Sequence, residues 1–198
     1  MQSSFRTATI GVAALVLAVA ITQALYTALS MAGADVPRRL MWGGEALLFA
    51  LLAAYAGAAL AQARALHLGF AAILSAAILN VVQVGVGLTL FAPFGEAARA
   101  VPELAPAAAG IVAYSFMVYN AAKVLLALAL IVFARARLQA GGKALGGLGL
   151  IVGALAFVAN TLSMALGRDF TDLPVAGGSG VVATILLAAL LFTLPRED

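Results

Sequence analysis

The chain has 198 residues, of which 65% are hydrophobic and only 10% charged, and its mean hydropathy is +1.12. A soluble domain carries about 25% charged residues, so this chain cannot clothe a water-facing surface of its own, and a soluble enzyme, a disordered regulator and a free nucleic-acid reader are all excluded. Its formal net charge of +3 sits on single or paired basic residues rather than a stripe, a distribution that fits membrane orientation and not a nucleic-acid footprint.

Lipid offers no hydrogen-bond partner to a bare backbone, so a spanning segment is a helix of about 20 mostly apolar residues. Six stretches meet that condition and predict an all-α, polytopic transmembrane bundle in one domain, with no soluble domain. The first runs over residues 8–32 and ends before Gly33-Ala34-Asp35-Val36-Pro37. Arg6 precedes it and Ala32-Gly33-Ala34 has the look of a cleavage site. Its apolar run nevertheless exceeds the 7–15 residues of a secretory signal core, so it reads as a span. The second covers 40–63 and stops at Arg64 and His67. The third covers 68–92, with a break expected at Pro93-Phe94-Gly95. A connection over 93–108, containing Pro93, Pro102 and Pro106, reads as a linker with room for a short interfacial helix. The fourth span covers 109–133, followed by Arg135, Arg137, Gly141, Gly142 and Lys143. The fifth covers 144–167, closed by Arg168 and Asp169, and the sixth covers 178–194, ended by Pro195.

Six spans put both termini on one side. That side collects Arg6, Arg64, Arg135, Arg137, Lys143 and Arg196, against Arg38, Arg39, Arg99 and Arg168 on the other. Lys and Arg concentrate on the cytoplasmic side, so both termini are expected there, while the acids Asp35, Glu96, Glu103, Asp169 and Asp172 fall outside. Nine arginines against two lysines, with heavy Ala, Gly and Leu usage, is the coding style of GC-rich bacteria, which places the chain in a bacterial inner membrane.

Small residues four apart let helices approach closely in lipid. Ala53, Gly57 and Ala61 form one such stripe, and Gly142/Gly146 with Gly149/Gly153 form another; they read as packing within the bundle, with an oligomer interface as the alternative. Asn80-Val-Val-Gln83 in the third span is faintly echoed by Asn160-Thr-Leu-Ser163 in the fifth, a similarity that Ala- and Leu-rich helices produce by chance.

Polar side chains inside a span cost several kcal/mol, so each needs a partner or a task. Thr22, Gln23, Tyr26, Thr27 and Ser30 share an arc of about 140° on the first span, and Ser115, Tyr119, Asn120 and Lys123 a similar arc on the fourth. Asn80 and Gln83 share a face of the third, Trp42 and Glu45 a face of the second, and Asn160 lies in the fifth. At a rise of about 1.5 Å per residue, Glu45 and Asn160 lie roughly 8–11 Å from the outer ends, Gln23, Gln83, Tyr119 and Asn120 roughly 14–17 Å, and Lys123 about 21 Å. Polarity therefore gathers in the outer half, suggesting a funnel open to the outside and floored by Lys123. Glu45 and Lys123 are the two charges well inside the spans; their depths differ by roughly 13 Å, so a direct bridge needs tilt, a water or a shifted boundary. The simpler readings are an escape of Glu45 towards Arg38 or Arg39, a snorkelling Lys123, and Asn80, Gln83 and Asn160 as interhelical glue. Tyr114 and Trp42 fit an interfacial aromatic belt, and His67 a solvated turn.

With no Cys and one His, thiolate chemistry, Cys-ligated zinc, iron–sulfur clusters and a bis-histidine haem are impossible, and no other residue pattern asks for a metal or cofactor. Three functions remain. One is binding or transport of a small molecule or ion, with Gln23, Trp42, Glu45, Asn80, Gln83, Tyr119, Asn120, Lys123 and Asn160 as candidate ligand-binding residues. The second is an accessory subunit of a larger assembly, in which those groups only staple helices and a partner subunit or second copy docks on the outside. The third, an intramembrane enzyme on a lipid-like substrate, has least support, since no nucleophile has an obvious base.

Overall fold

The computed structural model describes residues 4–34, 36–167 and 175–194; Asp35, Arg168, Asp169, Asp172, Pro195 and Arg196 lie outside the described residues. Six helices follow one another: α1 (Phe5–Met31), α2 (Arg38–Gln62), α3 (His67–Ala100), α4 (Ala105–Gln139), α5 (Lys143–Leu166) and α6 (Val175–Phe192). Each is long and apolar enough to cross a membrane, and no strand occurs among the described residues. The chain is a multi-pass membrane protein.

The connections are short and use local chemistry. Ser4 caps α1, its Oγ accepting from the Thr7 amide at 3.2 Å. Leu66, in the left-handed region at φ 63°, turns α2 into α3, and Gly141 at φ 85° does the same between α4 and α5. The break expected at Pro93 does not occur: α3 continues through it to Ala100, and one 3-10 turn (Pro102–Leu104) leads straight into α4. A proline removes a single backbone donor, whereas ending the helix would strip partners from a whole turn of carbonyls in a medium that replaces none of them. The expected linker is thus nearly all helix.

Neighbour relations define the architecture. α1 packs on α2, α2 on α3, α3 on α4, α4 on α6 and α6 back on α1, so five helices close a ring. α5 touches only α4 and α6 and stands outside it. Its glycines explain the fit: Gly146, Gly149 and Gly153 lie against α4, where an added Cβ would meet Leu138, Ala134 and Ile131 at 2.7–2.8 Å. The opposite face of α5 presents Leu148, Ile151, Leu155 and Val158, all exposed, as a helix bathed in lipid should. An added Cβ at Gly57 would meet no atom within 4 Å, so that glycine of the α2 stripe makes no comparably close contact among the described residues.

Five helices leave more to fill than four. With neighbours about 9 Å apart, five axes stand about 7.7 Å from a common centre and four about 6.4 Å. Near the start of α1 (the proximal side) bulky groups fill that space: Phe70 sits edge-on to both Phe133 (centroids 5.1 Å apart) and Phe5 (5.7 Å). Val12, Val16, Phe49, Leu130, Leu187 and Leu191 complete the packing. Towards the end of α1 (the distal side) the centre stays open.

Candidate functional site

The opening is a cavity of about 490 Å³ bounded by four neighbouring ring helices and the first turn of α6. α1 contributes Gln23, Tyr26 and Thr27; α2 contributes Arg38, Trp42 and Glu45. α3 adds Gln83, Val84 and Phe91, α4 adds Val112, Ser115, Phe116 and Tyr119, and Gly177 represents α6. These positions recur at helical spacing because each helix turns one arc inwards. The volume lies in the usual range for small-molecule sites.

One wall is aromatic. The Trp42 ring stacks at an angle on Tyr26 (5.9 Å) and edge-on against Phe91 (5.8 Å). It packs on α3 at Gly87, where an added Cβ would stand 2.7 Å from the indole; only a residue without Cβ leaves room for that ring. Trp42 is therefore a partition held between Tyr26, Phe91 and Gly87.

The other walls are polar. Glu45 is 7% exposed and has the Thr22 hydroxyl beside its carboxyl and the Lys123 ammonium within electrostatic range. Gln83 donates from Nε2 to Ser115 Oγ at 3.3 Å, tying α3 to α4. Glu45 did not escape towards Arg38 and Arg39.

Lys123 lies beneath the cavity rather than in its lining. Its Nζ reaches across the ring from α4 to α1, donating to Gln23 Oε1 at 2.6 Å, and contacts Thr184 Oγ1 of α6 at 3.5 Å. It also stands 5.2 Å over the Tyr119 ring, a favourable cation–π placement. Its stem passes Gly180, whose absent Cβ would meet Cδ at 3.1 Å. The lysine is 1% exposed and does not snorkel. The expected floor is thus one layer thicker: Gln23 and Tyr119 face the cavity and the ammonium sits behind them. Among the described residues Glu45 and Lys123 are the only buried charged side chains, and they form no direct ion pair.

Five of the nine expected positions, Gln23, Trp42, Glu45, Gln83 and Tyr119, line this cavity. Asn80, Asn120, Lys123 and Asn160 do not. Asn80 and Asn120 donate back to the carbonyls of Ala76 and Phe116 on their own helices, both at 2.9 Å, so they are not the interhelical glue their burial suggests. Asn160 donates to Ala156 at 2.8 Å and reaches the Ala176 carbonyl of α6 at 3.4 Å, which does join two helices but from α5, outside the ring. Thr184 was not singled out in the sequence, although it is the one hydroxyl deep within α6 and sits four residues after Gly180. Ser115, Tyr26 and Thr27 were visible as parts of polar arcs.

Among the described residues no group of three or more His, Cys, Asp or Glu could hold a metal ion. No family model, curated protein or solved structure matches the chain.

Proposed function

We propose that this membrane protein binds a small molecule in the distal chamber and passes it across the bilayer. The observation that carries this reading is the chamber itself: about 490 Å³ inside the ring, with a carboxylate, two amides and several hydroxyls opposite an aromatic wall. Carrier sites commonly lie near the middle of the membrane, where helices enclose polar groups. A charge kept at that depth is a functional mark, since neutral groups would hold the helices together at lower cost. In this reading Glu45, Gln83 and Ser115 orient the polar part of the ligand, while Trp42 and Phe91 cover its apolar part. Lys123 sets the local field and holds Gln23 so that its amide N–H₂ is turned to the chamber.

The chain has no cysteine, so the test needs no prior removal of thiols. Ser115 and Leu126 are equally inaccessible from outside, at 1% and 2% exposure, yet only Ser115 lines the chamber. In membrane vesicles, Ser115→Cys is expected to react with a small, water-soluble thiol reagent and Leu126→Cys to stay inert. Solutes that protect Ser115→Cys identify the ligand class, and reaction from both faces of the membrane supports passage rather than binding alone. Equal inertness of the two cysteines would end the proposal.

A further inference from the structure

On the other side of the Trp42 partition lies a second cavity, of about 340 Å³, between α2 and α3. Its mouth carries Arg38 and Arg39 from the first turn of α2 and Arg99 from the last turn of α3, with Glu96 as the single acid among its lining residues. Its floor is Trp42 and Phe91. Three guanidinium groups thus face one carboxylate, and among the described residues none of the three has a hydrogen-bond or ion-pair partner. Three guanidinium groups gathered on one cleft call for an anion.

The polarity of the cleft runs along the helix axes. Trp42 is four residues from Arg38 along α2, and Phe91 eight residues from Arg99 along α3, which places the aromatic floor about 6–12 Å inside the charged rim. A free phosphate would use only the rim. A glycerophospholipid has the same two-part profile as the cleft: a phosphate that guanidinium forks grip in pairs of hydrogen bonds, and a glycerol and acyl base that need an apolar floor. Basic pockets between spanning helices recognise lipid headgroups in this way. We infer that the α2–α3 cleft is a specific site for an anionic phospholipid, with Arg38, Arg39 and Arg99 on its phosphate and the Trp42 ring against its glycerol region. The cleft shares Arg38, Trp42 and Phe91 with the chamber, whereas Arg39 and Arg99 belong to the cleft and not to the chamber lining.

Trp42 is the only tryptophan in the chain, so its fluorescence reports the wall between chamber and cleft, and the cleft-only residues Arg39 and Arg99 assign the signal to the cleft. The full chain would be reconstituted in phosphatidylcholine vesicles containing increasing fractions of brominated phosphatidate or, in parallel, brominated phosphatidylcholine, whose bromines quench indole. Quenching is expected at a markedly lower fraction of the brominated phosphatidate, and the preference should fall about fivefold for each arginine neutralised in Arg39→Gln and Arg99→Gln. Arg135→Gln, an exposed position on the proximal side, should leave it unchanged. No preference for phosphatidate, or a preference that survives the double variant or falls equally with Arg135→Gln, overturns the inference. Relief of quenching by millimolar inorganic phosphate assigns the cleft to a soluble anion and overturns the lipid; its absence supports the lipid.

Discussion

The proximal and distal halves of the ring are built from the same five helices and do opposite things with the space between them. In the proximal half Phe5, Phe70 and Phe133 interlock edge to face and leave the axis closed. In the distal half the same axis is walled by Gln23, Glu45, Gln83 and Ser115 and stays open. The border runs through Lys123, whose bond to Gln23 crosses the ring. Helix packing alone does not decide whether a bundle encloses a chamber. Within one ring, the outcome follows from whether inward positions carry aromatic bulk or polar groups that must keep company.

The largest effect should come from the closed half. Phe133 is fully buried and fills the notch at Gly69, so Phe133→Ala should lower unfolding free energy by about 3–5 kcal/mol, measured by denaturant titration in detergent. A loss below about 1 kcal/mol would mean that the proximal core is not the stabilising half. At the border, Gln23→Leu strips the ammonium of its closest acceptor and should cost about 3 kcal/mol. Lys123→Met leaves the Gln23 Oε1 without its donor and should cost about 1–3 kcal/mol. The double variant should cost less than the sum of the two, with a coupling of about 2–3 kcal/mol in the double-mutant cycle; additivity would show that the bond across the ring does not join the halves. The smallest effect belongs to the open half. Gln83→Leu breaks only the 3.3 Å bond to Ser115 and should cost about 0.6 kcal/mol, while slowing thiol modification of Ser115→Cys by narrowing the chamber.

The spans were legible because hydropathy registers the one strict demand of lipid, a backbone bonded within each segment. Pro93 misled because that same demand overrides the usual stop signal. The arcs on α1 and α4 correctly grouped Gln23 with Tyr26 and Ser115 with Tyr119, since helical period fixes which side chains share a face. Period says nothing about which faces meet. It could not show that α5 stands outside the ring, taking Asn160 away from the cavity, or that Asn80 and Asn120 turn back on their own carbonyls. Nor could depth counted from helix ends place Lys123, because a long flexible stem lets the ammonium settle away from its own Cα. Thr184 and Gly180 matter only through that stem, and a hydroxyl beside a glycine on a separate helix carries no mark of it.

Ring closure between α1 and α6 has a consequence for biogenesis. α1 is made before α6 and waits for it, and until α6 arrives Lys123 lacks both the Thr184 hydroxyl and the groove at Gly180 that its stem follows. A nascent chain halted after α5 would therefore hold a cation whose α6 side is open to the bilayer, with Gln23 and Tyr119 as its remaining partners, the kind of flaw that membrane quality-control proteases and insertion chaperones recognise.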